Sequence, residues 1–150
     1  MSIELRNESS QSVDEGKVLQ LASFALESMR IHPDSELEIL FYDEEPMSEL
    51  HVKFMDEPGP TDVLSFPMDE LHPGDENDLS LGQLGSIVIC PSVAATQAET
   101  AGHDFIDEVL LLTTHGILHL LGFDHAEPEE HRVMFGLQAD ILSKFHAQEA

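Results

Sequence analysis

The residues best suited to chemistry lie in one short stretch, HGILHLLGFDH, residues 115 to 125. His115 and His119 are four apart, so on a helix their rings project from one face, one turn apart, at a separation that suits two ligands of one ion. Gly122 follows three residues later. A glycine at a helix end takes the left-handed conformation without a Cβ clash, so the chain can reverse and carry His125 back toward the first two rings. Three neutral imidazoles with the fourth position open form the arrangement of a catalytic zinc ion, because a closed structural site needs a fourth protein ligand. A single His on an apolar helix is usually a core residue bonded to backbone. With nine His and nine Gly in 150 residues, however, the full pattern His-x3-His-x2-Gly-x2-His arises by chance only about 0.002 times. Among the other histidines, His51 is expected to pack, His32, His72 and His146 to be exposed, and His103 to sit in a helix connection. His131 is the one substitute ligand.

Several elements must position these rings. Ser2 to Arg6 reads as a short strand. Ser12 and Glu15 have capping-box spacing, and Val18, Leu21, Ala22, Ala25 and Met29 then recur at helical spacing until His32-Pro33. Leu37, Ile39 and Phe41 mark a strand. Met47, Leu50, His51 and Phe54 form a second helix, ended by Gly59-Pro60. Val63 to Phe66 is a strand closed by Pro67, which suggests an edge position. Met68 to Leu81 is acidic and turn-rich, and is expected to be a mobile surface loop. The apolar run within Leu84 to Cys90 predicts a central strand covered on both faces. Pro91-Ser92 opens an Ala-rich helix ending near Gly102, and Asp104 can cap the next helix, which carries His115 and is apolar nearly all round. Such a helix belongs in the interior, so its polar groups need a partner or a ligand. A last helix starts at Pro128 and places Met134, Leu137, Ile141 and Phe145 along one stripe. Five helices and about four strands predict an α+β fold, with the metal site on a central buried helix.

The length fits one domain, residues 1–150, since domains typically hold ~100 to 200 residues. The chain is 41% hydrophobic and 24% charged, an ordinary globular composition. No apolar run approaches the ~20 residues of a membrane span, and the amino-terminal MSIELRNESS lacks the features of a secretory signal, so the expected location is the cytoplasm. The lone Cys90 agrees with a reducing compartment and excludes a Cys-rich metal site. Six Lys+Arg against thirty Asp+Glu give a net charge of −24. That argues against holding nucleic acid through a broad basic footprint, while a localised cationic site is still allowed.

The histidine spacing is that of the metzincin peptidases, whose helix reads H-E-x-x-H-x-x-G-x-x-H, but Gly116 stands at the Glu position. In those enzymes the Glu takes a proton from the zinc-bound water, and glycine can transfer no proton. Asp124 is a candidate base, or an acceptor orienting a ligand ring, against an equally weighted role as a solvated turn residue.

At every fixed position, residues 115–125 resemble the signature H-G-x-L-H-L-x-G-[YF]-D-H of the YbeY-type endoribonucleases, ribosomal RNA maturation factors. Pro60 to Pro67 is similar to the family's P-T-D-V-L-S-F-P, and Leu84 to Pro91 to its L-G-D-I-V-I-C-P, with Ser86 at the Asp position. The resemblance covers nearly the whole chain. It implies a small mixed sheet packed with helices, zinc at the His-bearing helix, and cleavage of single-stranded RNA. It further implies a role in small-subunit ribosomal RNA processing and ribosome quality control in the bacterial cytoplasm, with the ribosomal small subunit or a basic ribosomal protein as partner. Many members carry an Arg facing the substrate phosphate where this chain has Met55, and methionine cannot pair with phosphate. Lys53 is close in sequence but points elsewhere on a helix, so the phosphate clamp is either missing or supplied by Arg132, the ion or a partner. A dication on three neutral ligands keeps its +2 charge and attracts phosphate locally even on an acidic protein. Two other readings share the ligands. A metallopeptidase would need a base near the metal-bound water. A non-catalytic zinc-binding ribosome assembly factor would show a closed fourth position or no cleft.

Overall fold

The computed structural model describes residues 2–57 and 59–149, so the ends of the expected 1–150 domain, Met1 and Ala150, lie outside the described residues. The elements run β1 (Ser2–Asn7), α1 (Glu15–Ser28), β2 (Glu36–Phe41), α2 (Glu44–Met55), β3 (Val63–Pro67), β4 (Gln83–Ile89), α3 (Pro91–Ala101), α4 (Phe105–Leu120) and α5 (Pro128–Glu149). This is the expected α+β architecture of four strands and five helices. The sheet order is β1-β2-β4-β3. β1 and β4 both run parallel to β2, and β3 runs antiparallel to β4, so the sheet is mixed. β4 is internal, as its apolar run predicts, and β3, with its proline, forms an edge.

Strand alternation divides the core in two. Leu37, Ile39 and Phe41 of β2 join Leu84, Ile87 and Ile89 of β4 on the face covered by α1 and α4. Leu40, Val88 and Leu64 point the other way and pack with Met47 of α2 and with Cys90. The interior position expected for α4 is observed: Val109, Leu110, Ile117 and Leu118 are fully buried. The hydroxyls of Thr113 and Thr114 donate to the carbonyls of Val109 and Leu110, each at 2.8 Å, so burial leaves neither hydroxyl unsatisfied.

Some local expectations are corrected. The cap of α1 is Asp14, whose Oδ1 accepts from the Lys17 amide at 3.2 Å, and not the Ser12/Glu15 box. The two candidate signals overlap, and the helix begins at Glu15, too late for Ser12 to reach its amides. Asp104 does occupy the N-cap position of α4, but its side chain makes no capping bond. The 68–81 segment is a surface loop, yet it is tied down. Ser80 pairs with Ile31 in a bridge, and Gly74 donates to the Met29 carbonyl at 3.1 Å.

α4 lies close to the sheet because Gly116 has no side chain. A Cβ there would stand 2.8 Å from Cγ2 of the buried Ile87, whereas one at Gly136 of α5 would meet nothing within 4 Å. Alanine at either position gains roughly 0.8–1.0 kcal/mol of helix propensity. At residue 116 alone, overpacking opposes this with about 1–3 kcal/mol. Gly136→Ala should therefore stabilise by about 1 kcal/mol and Gly116→Ala destabilise by about 1 kcal/mol in urea unfolding. Equal shifts would show that α4 can move away from β4 at no cost.

Candidate metal centre

The reversal after α4 has the hydrogen bonds of a Schellman turn. Gly122, at φ 94°, donates to the His119 carbonyl, and Phe123 donates to that of Leu118, both at 3.1 Å. The turn brings His125 back as the motif predicts. Its ring centroid lies 5.4 Å from that of His115 and 5.3 Å from that of His119, and the His115 and His119 rings are 4.8 Å apart. One nitrogen from each ring falls within 4.8 Å of the other two, so the three can hold a metal ion.

The donor chemistry fits such an ion. The Gln138 side chain, buried on α5, places Oε1 2.9 Å from His115 Nδ1. A glutamine oxygen only accepts, so Nδ1 carries the proton and Nε2 keeps its lone pair for the cluster. Burial pushes His115 below the ordinary histidine pKa. The Gln138 bond opposes this, the nearby His125 adds to it, and Asp62 opposes it. His119 is lowered by burial and then by His115 and His125, against the pull of Asp124. Both rings are therefore protonated less readily than an ordinary imidazole, which favours the neutral form a metal ion needs.

The cluster opens into a cleft of about 490 Å³ along the β3 edge. Its walls are Asp62 to Phe66, Met55 at the end of α2, Leu111 of α4, and Phe135 and Gln138 of α5. Ser65 ties β3 to α4 by donating to the Gly116 carbonyl at 3.2 Å. No Lys or Arg lines this cleft among the described residues. Met55 is there, at the position expected to face substrate. Lys53 turns away, its ammonium 5.3 Å from the Phe54 ring centroid. Arg132 is also outside and is paired with Glu129. Asp124 does not line the cleft, and its Oδ1 accepts from the amide of His125 at 2.7 Å, the geometry of a turn residue.

The remaining histidines have other partners. His51 Nδ1 bonds the Gly59 carbonyl at 2.9 Å and its Nε2 lies 3.1 Å from Glu57. His103 Nε2 lies 2.6 Å from Oε1 of buried Glu108. His72 is exposed as expected, with its ring against Gly122. His131 stands outside the three-ring group and stacks on Phe135. Sequence reasoning missed Gln138, Phe135 and Asp62. Gln138 had a legible signal, a polar residue one turn after Met134 in the apolar stripe of α5. The other two look like ordinary helix and turn residues until the chain is folded.

An α+β fold with an open cleft at the end of a buried, histidine-bearing helix defines the class of candidate metal-dependent hydrolases. Residues 3–146 match the family described as Endoribonuclease YbeY. The chain belongs to this family. It is 62% identical over 150 residues to the endoribonuclease YbeY of Clavibacter sepedonicus, covering 99% of this chain and 98% of that one. With that of Thermobifida fusca it shares 60% over 144 residues, covering 95% and 93%. The solution structure of TM1509 from Thermotoga maritima is also similar, with a TM-score of 0.62 and 25% identity across 97% of this chain and 93% of that one. No helix of the described residues is long and apolar enough to cross a membrane.

The depressed histidine values set a pH dependence. Below about 6.5, the unfolded-state value, the unfolded chain takes up protons that the native rings refuse. The stability these rings contribute to metal-free protein is thus full above that pH and falls below it. The Tm of metal-free wild type should drop relative to His119→Gln between pH 7.5 and 5.5, the comparison cancelling the effect of the acidic surface. A pH-independent difference would contradict the depressed values.

Proposed function

We propose that residues 1–150 form one domain that cleaves single-stranded RNA, with a zinc ion held by His115, His119 and His125. The observation that carries this reading is the three-imidazole cluster facing an open cleft in a chain of the YbeY family. Bound zinc would polarise a phosphoryl oxygen and stabilise charge developing on it. The protein's own part is to resist protonation of His115 and His119 by burial, to fix the His115 tautomer through Gln138, and to hold β3 beside the cluster through Ser65. The family resemblance extends the reading to ribosomal RNA maturation and ribosome quality control in the bacterial cytoplasm.

The metallopeptidase reading is weakened twice. Gly116 carries no base, and the position faces Ile87 of the sheet, where the side chain of a glutamate has no room. The open cleft likewise weighs against a purely structural zinc module.

A net charge of −24 and a cleft without Lys or Arg leave few groups to hold RNA. In this reading a basic ribosomal protein or the small subunit supplies the missing positive surface. Isolated protein should bind single-stranded RNA weakly. With a salt slope of about −0.7 per neutralised phosphate, its binding should report only one or two contacts. Tight binding with a slope for roughly six contacts would show that the scarce cations are gathered elsewhere on the surface.

The direct test uses metal-analysed protein and single-stranded RNA, ribosomal precursors included. His119→Ala should lose most of its zinc. His115→Ala should cut at background level while keeping its helical circular dichroism. Fully metallated wild type that leaves every RNA intact would overturn the nuclease reading, and stoichiometric zinc in His119→Ala would overturn the ligand assignment.

A further inference from the structure

We propose that Phe135, backed by His131, is a stacking platform for a nucleobase beside the scissile phosphate. The proposal rests on the endoribonuclease reading above and adds a substrate subsite to it. Phe135 lies on the first half of α5 and lines the cleft, with its ring centroid 5.6 Å from that of His115 and 5.9 Å from that of His125. Phe135 is 36% exposed, so part of the residue is open to a ligand.

Its partner makes the ring a platform. His131, one turn earlier, lies parallel to Phe135 at 12° and 4.2 Å between centroids. That contact covers one face of the phenyl ring and fixes its plane, so what is open toward the cleft is the rest of the ring. Across the cleft stand Met55 and Phe66, the latter held edge-on by Phe54 at 5.2 Å. The cavity of about 490 Å³ between these walls is within the size range of ligand sites.

Charge points the same way. With no Lys or Arg among the described residues lining the cleft, the protein's own grip on RNA beyond the ion falls to uncharged groups, and Phe135, Phe66 and Met55 supply aromatic and thioether surface there. Every base presents a π-face, so stacking on an aromatic ring holds single strands with little regard to sequence. The rival role for Phe135 is a lid that only packs over the ligand rings. Losing a lid would loosen the metal; losing a stacking platform would weaken substrate binding alone.

The test compares zinc-loaded wild type, Phe135→Leu and Phe135→Trp on short single-stranded RNAs carrying 2-aminopurine at successive positions. Zinc content, fluorescence quenching, KM and kcat are measured together. In Phe135→Leu, KM should rise roughly tenfold, within what one base–aromatic stack supplies. Quenching should be lost, while kcat and zinc content stay near wild type. Phe135→Trp should restore both binding and quenching. Wild type that cleaves RNA, with KM and quenching unchanged in Phe135→Leu, would overturn the platform and leave the nuclease reading standing. Zinc loss in Phe135→Leu would overturn it in favour of the lid. Quenching that depends on Phe135 without any cleavage by wild type would sink the nuclease reading and keep the base site. Neither quenching nor cleavage would sink both.

Discussion

The contact between Gly116 of α4 and Ile87 of β4 sets the depth at which the histidine-bearing helix enters the protein. At 2.8 Å from Cγ2 of Ile87 to where a Cβ would stand, no side chain fits without displacement. Because the helix is so deep, its residues on three sides pack against the sheet, α1 and α3. Its fourth side faces the β3 edge and α5, and that is where His115 and His119 emerge. The same closeness lets Ser65 of the edge strand reach the Gly116 carbonyl, so the backbone of the metal helix and the wall of the cleft are joined by one bond. A bulkier residue at 116 would move the helix, its rings and the strand together.

Burial of this helix also tunes the chemistry. A solvent-exposed imidazole titrates near neutrality, but half-buried rings beside one another resist protonation, and both His115 and His119 are lowered for this reason. Gln138 completes the arrangement by accepting from His115 Nδ1 at 2.9 Å, which both satisfies a buried amide on an apolar stripe and turns the other ring nitrogen toward the cluster. Stability and ligand orientation therefore depend on the same hydrogen bond.

Around this centre the protein is acidic. Among the described residues the cleft is lined by one carboxylate, Asp62, by Ser65 and Gln138, and by apolar and aromatic groups, so attraction for a polyanion would concentrate at the point where the three histidines could hold a cation. Met55 adds no charge, and Arg132 is engaged by Glu129.

Much of this was legible in the sequence because it follows from local rules. The His-x3-His spacing and Gly122 are properties of one helix and its end, and the Schellman turn closes as the motif requires. The edge position of β3 followed from Pro67, and the internal position of β4 from the apolar run of Ile87 to Ile89. The local rules failed where two signals competed: Asp14 displaced the Ser12/Glu15 box, and Asp104 holds a cap position without a capping bond. What the tertiary structure alone decided is which distant side chains meet the rings. Gln138 and Phe135 are separated from His115 by 23 and 20 residues, and Asp62 by 53, so no spacing rule connects them. They come together because α5 packs against α4 and because β3 is paired at the sheet edge, both consequences of burying apolar stripes. Asp124, next to His125 in sequence, is absent from the cleft lining, and its Oδ1 accepts from the His125 amide. Nearness along the chain set the three-histidine cluster, and packing of the core set its surroundings.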